Sequence, residues 1–160
     1  MSACDILVIA NLNMDLILEQ KNSQQTSRKR YADSFTLSPG GNGYNEAVAA
    51  ARMGATVALA GMIGSDSFGA QLKASLNEEI TDSQLVRVVP GSSGLSLILS
   101  SAGQENIYWD IVGANACLDE EYIRGLESHI AKVKLLVVGF GVPYASTVLA
   151  IRLAQKHGTA

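Results

Sequence analysis

Apolar residues fall along this chain in two rhythms, and the switches between them predict most of its elements. Ile6, Leu7, Val8 and Ile9 form an unbroken aliphatic run, as expected of a strand covered on both faces of an α/β sheet. Residues 56–60 and 135–138 repeat that run. Between the first two runs, Leu16, Ile17 and Leu18 continue as a strand, and residues 20–30 read as a polar loop. Residues 31–37 alternate loosely, as a half-exposed strand does. Tyr44, Ala47, Val48 and Ala51 then recur at helical spacing, with Gly54 placed to cap that helix. Residues 61–66 read as a turn into a second helix carrying Phe68, Leu72 and Leu76 on one side, with Ser65 or Asp66 as its N-cap.

Three short alternating segments follow, at 84–89, 95–100 and 107–111, separated by Pro90-Gly91 and Ala102-Gly103. They predict an antiparallel meander in a small sheet apart from the α/β core. Tyr108 and Trp109 point to opposite faces of the last strand, one of them inward. Gly113-Ala114-Asn115-Ala116 is a further turn. Asp119, Glu120 and Glu121 open a helix where negative charge is favoured, and Tyr122, Ile123, Leu126 and Ile130 form its apolar stripe. Pro143 suits the first turn of a final helix reaching about residue 157, after which another strand is due.

With 160 residues, 48% of them hydrophobic, the chain can bury one ordinary core, so one domain is expected. A net charge of −3 argues against general binding to nucleic acid or to an anionic membrane surface. The basic cluster Arg28-Lys29-Arg30 reads as a solvated loop or strand edge. Cys4 and Cys117 suggest no disulfide framework, and with His129 and His157 they show no zinc spacing. There is no long apolar span and no secretory signal, so a soluble, reducing, cytoplasmic setting is expected.

The candidate chemistry sits at two places. Asn13 and Asp15 follow the first strand, and in open α/β sheets ligands bind beyond the carboxyl ends of the strands. An aspartate there accepts two hydroxyl hydrogen bonds well; an Asx-type turn closing the strand is the alternative. The second place is Gly40-Gly41-Asn42-Gly43-Tyr44-Asn45, which opens directly into a helix. Glycine permits dihedrals closed to other residues, and the first N–H groups of a helix lack intrahelical partners. Asn45 lies in the first turn, able to address the same ligand. A tight turn before a packed helix is the plainer alternative. The stretch is neither a Walker A loop, since no Gly-Lys-Ser/Thr follows, nor a dinucleotide fingerprint, since Glu46 stands where the third glycine belongs.

Taken together, Asn13-Met14-Asp15, residues 40–45, Gly64-Ser65-Asp66-Ser67-Phe68-Gly69, Ser93-Gly94 and Gly113-Ala114-Asn115-Ala116 resemble the ribokinase-like, or PfkB, family of sugar and nucleoside kinases. The resemblance implies an α/β fold, a ribokinase-like α/β/α sandwich, here incomplete, with a small β-sheet lid. The lid segments would be roughly 13–39 and 84–112 of a single domain spanning 1–160. It implies transfer of the γ-phosphoryl group of ATP, with Mg2+, to a sugar or nucleoside hydroxyl. By motif match, Asn13, Asp15, Gly41, Asn42 and Asn45 would be substrate-binding, and Gly40 and Gly41 the lid hinge. The core strands are too few to complete the family's sheet and the lid strands offer a further self-pairing surface, so a homodimer through the lid sheet is expected.

Two positions depart from the ribokinase pattern. Asn42 stands where lysine is typical, and Phe140-Gly141-Val142-Pro143 stands where a glutamate is typical, so the pattern does not specify ribose. The family's Gly-Ala-Gly-Asp segment, with its catalytic base, and its Asn-x-x-Glu magnesium motif have no counterpart. No catalytic residue or metal ligand is therefore expected in this chain, and the ATP site is expected outside it. A non-catalytic sugar-binding or dimerisation module of the same fold is the alternative. An unrelated nucleotide-binding domain is disfavoured, because no phosphate loop follows the first strand.

Overall fold

The computed structural model describes residues 4–21 and 29–160. In chain order the elements are β1 (Ile6–Ile9), β2 (Asn13–Gln20), β3 (Ser34–Gly40), α1 (Asn42–Arg52), β4 (Val57–Gly64), α2 (Ser67–Glu79) and β5 (Val86–Val89). They continue with β6 (Gly94–Ser101), β7 (Ile107–Ile111), a 3-10 helix (Gly113–Cys117), α3 (Glu120–Gly125), α4 (Glu127–Ile130), β8 (Leu135–Val138) and α5 (Tyr144–His157). The expected loop at 20–30 falls mostly on residues 22–28, outside the described residues, as does Arg28 of the basic cluster.

The core sheet has the strand order β5-β4-β1-β8, all parallel. Because side chains alternate along a strand, its aliphatic runs feed two packed layers. Leu7, Ile9, Ala58, Ala60 and Met62 face Ile123 and Leu126 of the α3–α4 segment and Ala150 and Leu153 of α5. Val8, Ala10, Leu59 and Ile63 face Ala47 and Val48 of α1 and Leu72 and Leu76 of α2. Helices on both faces of a parallel sheet make an α/β/α sandwich, which is the expected fold class. Asp66 caps α2, accepting from the Gly69 N–H at 2.8 Å.

The second sheet has the order β3-β2-β6-β7. β2 is antiparallel to β3 and parallel to β6, and β7 is antiparallel to β6. The expected three-strand meander is therefore corrected. Residues 86–89 pair in parallel with β4 and belong to the core sheet, so only the last two of the three segments enter the small sheet. The same pairing corrects the reading of residues 61–64 as a turn, because Gly61 and Gly64 are the β4 partners of Val86 and Val89. The glycines serve close approach rather than a bend. A Cβ on Gly64 would lie 2.4 Å from the Ser93 nitrogen, and one on Gly61 would lie 2.9 Å from Leu12 Cδ1. Nor does either aromatic of β7 pack inward: Tyr108 is 58% and Trp109 54% exposed.

Candidate functional site

β1 ends at the centre of the core sheet, and the chain crosses through Asn11 and Leu12 straight into β2 of the second sheet. The two sheets and the start of α1 enclose a cleft of about 710 Å³ at this crossing. The cleft brings together Asn13, Asp15, Gly41, Asn42 and Asn45, the residues expected from the sequence. Gly40 is not part of its lining; it makes room for what is. A Cβ on Gly40 would stand 2.0 Å from Asp15 Oδ2.

Gly41 is the N-cap residue of α1 and has φ of 84°, a conformation that side-chain-bearing residues avoid. It offers no side-chain cap, so the first N–H groups of α1 are left to other partners. The next turn is pressed onto the end of β1. The Gly43 N–H donates to Asn11 Oδ1 at 3.4 Å, and a Cβ on Gly43 would sit 2.3 Å from that of Ala10. Asn42 and Asn45 are exposed at the rim.

Asp15 is half-buried on the cleft face of β2, and its Oδ1 is buried without a hydrogen bond among the described residues. Burial pushes its carboxyl up from the ordinary value; the Gly41 N–H and the Ser96 hydroxyl oppose that shift, and the nearby Asp110 adds to it. An acceptor oxygen held out of water with nothing to accept is costly, and a ligand hydroxyl would relieve it.

Asn13 is placed differently. It is buried, and both ends of its amide are engaged: Nδ2 donates to Ser96 Oγ at 3.0 Å, and Oδ1 accepts from Asn115 Nδ2 at 2.8 Å. Ser96 in turn donates to Asp110 Oδ1 at 2.7 Å. The result is a polar chain from the 3-10 helix through β2 and β6 to β7. Asn115, only 1% exposed, anchors it by accepting from the Leu12 N–H at 2.9 Å and donating to the Leu12 carbonyl at 3.1 Å.

Sequence reasoning did not single out Asn11, Ser96 or Asp110, all of which line the cleft together with Tyr108 and Phe140. It read Asn115 as part of a glycine-containing turn and of a family motif, with no site role. Gly141, noted as a departure, lies against Asn11: a Cβ there would meet Asn11 Cγ at 2.5 Å.

The lining does not fit a nucleotide polyphosphate or Mg2+. Its ionisable groups among the described residues are Asp15, Asp110 and Tyr108, with no lysine, arginine or histidine to meet phosphate. The described residues also hold no group of three His, Cys, Asp or Glu side chains suited to a metal ion. What the cleft offers is a hydroxyl-binding surface of amides, carboxylates and bare helix N–H groups.

An α/β/α core with a second sheet over a cleft of this kind defines a class. Residues 4–160 match the pfkB family of carbohydrate kinases, and the chain belongs to that family. A ribokinase from Haemophilus influenzae is 30% identical over 154 residues, which are 96% of this chain and 50% of the relative. A deoxyribokinase from Salmonella typhi is 31% identical over 155 residues, 96% of this chain and 51% of the relative. The solved structure of the ribokinase from Cryptococcus neoformans var. grubii serotype A in complex with ADP is 28% identical. It matches with a TM-score of 0.81, covering 94% of this chain and 47% of that one. The chain thus spans about half the length of the curated relatives it matches.

Proposed function

We propose that residues 1–160 carry the acceptor side of an ATP-dependent kinase that phosphorylates a hydroxyl of a sugar or nucleoside. The observation that carries the reading is the convergence of Asn13, Asp15, Gly41, Asn42 and Asn45 on one cleft between two sheets, with the Asp15 Oδ1 buried and unpaired. In this reading Asp15 accepts substrate hydroxyls, and Asn42 and Asn45 contact others at the rim. Asn13 positions the substrate from within its hydrogen-bond chain. The second sheet acts as a lid, hinged at Gly40 and Gly41, that closes over the sugar and excludes water. ATP with Mg2+ would supply the phosphoryl group, and the general base and nucleotide pocket would come from residues outside 1–160. The setting proposed is cytoplasmic; among the described residues, no helix is long and apolar enough to cross a membrane.

The lid's outer face supports a further element of the proposal, a homodimer. Phe35, Ile107 and Trp109 are all about half exposed or more, on the side of the sheet away from the cleft. An apolar surface of this kind fits a second copy of the same sheet.

The test pairs calorimetric titration of pentoses, hexoses and nucleosides with a coupled assay for ADP release. Sugar binding that Asp15→Ala removes, without turnover by residues 1–160 alone, is the expected result. Turnover by these residues alone would overturn the placement of the base and nucleotide outside them. Binding unaffected by Asp15→Ala would overturn the acceptor reading itself. Sedimentation equilibrium checks the dimer, which Trp109→Ser is expected to weaken.

A further inference from the structure

The register of the second sheet sets four polar residues in one transverse row: Ser38 on β3, Asp15 on β2, Ser96 on β6 and Asp110 on β7. Residues paired across neighbouring strands share a face, so all four are on the side of Asp15, toward the cleft. The row before it, toward the core, is Gly40, Asn13 and Gly94; the row beyond it is Thr36, Ile17, Ile98 and Tyr108. Asp15 and Asp110 are two strands apart, which separates their backbones by about 10 Å. That span accommodates a sugar ring with its hydroxyls between the two carboxylates.

Asp110 is not a stray surface charge. Its Oδ1 accepts from Ser96 Oγ, which also accepts from Asn13 Nδ2, so Asp110 is tied into the chain that holds Asn13. Its Oδ2 has no hydrogen bond among the described residues. Asp15 keeps one unpaired oxygen that is also buried, whereas Asp110 is exposed at the cleft mouth. Two carboxylates thus face one cleft whose described lining holds no basic side chain.

We infer that Asp110 is a specificity-determining residue, a second acceptor carboxylate that with Asp15 selects sugars rich in hydrogen-bond donors and rejects sugars bearing an anionic group. The inference rests on the acceptor-side reading above and deepens it by stating the substrate class. Hydroxyl or ammonium groups satisfy both unpaired oxygens. A phosphate or carboxylate on the sugar would face two like charges in a partly desolvated site, a repulsive element that discriminates more sharply than a missing contact.

The experiment is calorimetric titration of the chain with ribose, glucose, glucosamine, ribose 5-phosphate and gluconate, for the unaltered chain and for Asp110→Leu, Asp110→Asn and Asp15→Ala. The unaltered chain is expected to bind the neutral and amino sugars and to reject the two anions. Asp110→Leu should weaken neutral sugars by about tenfold or more, the scale of a lost hydrogen bond to a charged group. Asp110→Asn keeps an acceptor for Ser96 but not the charge. It should weaken neutral sugars less than the leucine variant does, and should narrow the gap between neutral and anionic sugars. A purely structural Asp110 would not move that gap. If Asp15→Ala abolishes binding while both Asp110 variants leave affinity and selectivity unchanged, this inference falls and the acceptor reading stands. If Asp15→Ala has no effect, both fall. Should Asp110→Leu fail to fold by thermal melt, the asparagine variant still decides.

Discussion

In the core sheet every residue of β4 is buried, whereas in the second sheet every residue of β7 is exposed. Both sheets have four strands, and both are rich in leucine, isoleucine and valine. They differ in what covers them. The core strands are parallel, so their crossovers lay helices on both faces, and nearly any polar side chain there would be stranded. The second sheet meets the rest of the protein along one end. One of its faces carries the polar row that looks into the cleft, and the other is largely apolar, buried at Met14 and Gln20 but exposed at Phe35, Ile107 and Trp109. Stability is concentrated in the first sheet. In the second, side chains are placed at some cost to it, as the unpaired oxygen of Asp15 shows.

The sharpest way to break this contrast is to cut equally into both sheets. Leu59→Ala removes a fully buried β4 side chain and is expected to destabilise the chain by about 2–5 kcal/mol. Thr36→Ala, on exposed β3, should fall within about 0.5 kcal/mol of no effect. Equal costs in urea denaturation would erase the distinction.

The next effect concerns Asp15. Asp15→Ala should lose about 1.5–3 kcal/mol of sugar binding, the worth of a charged acceptor, with a much smaller change in stability. The pH dependence follows from the same burial. Because the folded-state carboxyl is raised, the native state holds its proton more tightly than the unfolded chain. Stability should therefore fall as pH rises from the ordinary carboxylate value through the raised one, and Asp15→Asn should remove that fall in thermal melts. A melt that shows the fall unchanged in Asp15→Asn would assign it elsewhere.

How much of this was legible in the sequence divides along the same line. The core strands and their helices announce themselves through local periodicity, since burial on both faces leaves an unbroken aliphatic run. β5 misled because only Val86 of its four residues is fully buried, and an edge strand of a parallel sheet alternates just as a meander strand does. Gly61 and Gly64 misled because a glycine needed for close approach looks, in sequence, like a glycine needed for a turn. In the site, Asn13, Asp15, Asn42, Asn45 and the glycines at 40–41 stand beside recognisable element boundaries and could be picked out. Asp110 and Ser96 could not, because their roles depend on strand register between segments 14 and 83 residues apart. No local pattern encodes that.

A smaller test lies where the two sheets join. Asp66 caps α2 and also accepts from the Ser93 backbone N–H at 2.9 Å and the Ser93 hydroxyl at 2.7 Å, tying the end of β4 to the start of β6. Asp66→Ala should cost about 0.5–2 kcal/mol through loss of the cap. Burial works to raise its carboxyl, but the bonds from Ser93 and Gly69 outweigh it and hold the group below its ordinary value. Its contribution is thus present above that ordinary value and lost as pH falls through the lowered one. A variant whose acid unfolding matches that of the unaltered chain would show that the cap contributes nothing.

The smallest expected effect is at the surface of the core. Asp5 is bridged to Lys134 at 2.6 Å and accepts from the Thr56 hydroxyl, and these bonds hold its carboxyl down to about 2. Its contribution should be present above the ordinary value of 3.8 and disappear as pH falls to about 2. Being exposed, it should also shrink with added salt. Urea midpoints of Lys134→Ala at two ionic strengths check this, and a salt-independent difference would contradict it.

The side chain of Asn115 does for Leu12 what a neighbouring strand would do, offering an acceptor to its N–H and a donor to its carbonyl from 103 residues away. This makes assembly sequential. β1, β4 and their helices can form through contacts between nearby crossovers, but Leu12 has no such partner until the chain has run past residue 115. The pairing of β2 with β6, some 80 residues later, closes a loop of similar length. The second sheet should therefore be the late, slow part of folding, set by chain topology rather than by propensity. The Leu12 amide is its natural reporter. In a pulse-labelling hydrogen-exchange experiment it should gain protection together with β6 and β7 and well after Leu7 and Leu59, although only Ala10 and Asn11 separate Leu12 from the first strand of the core.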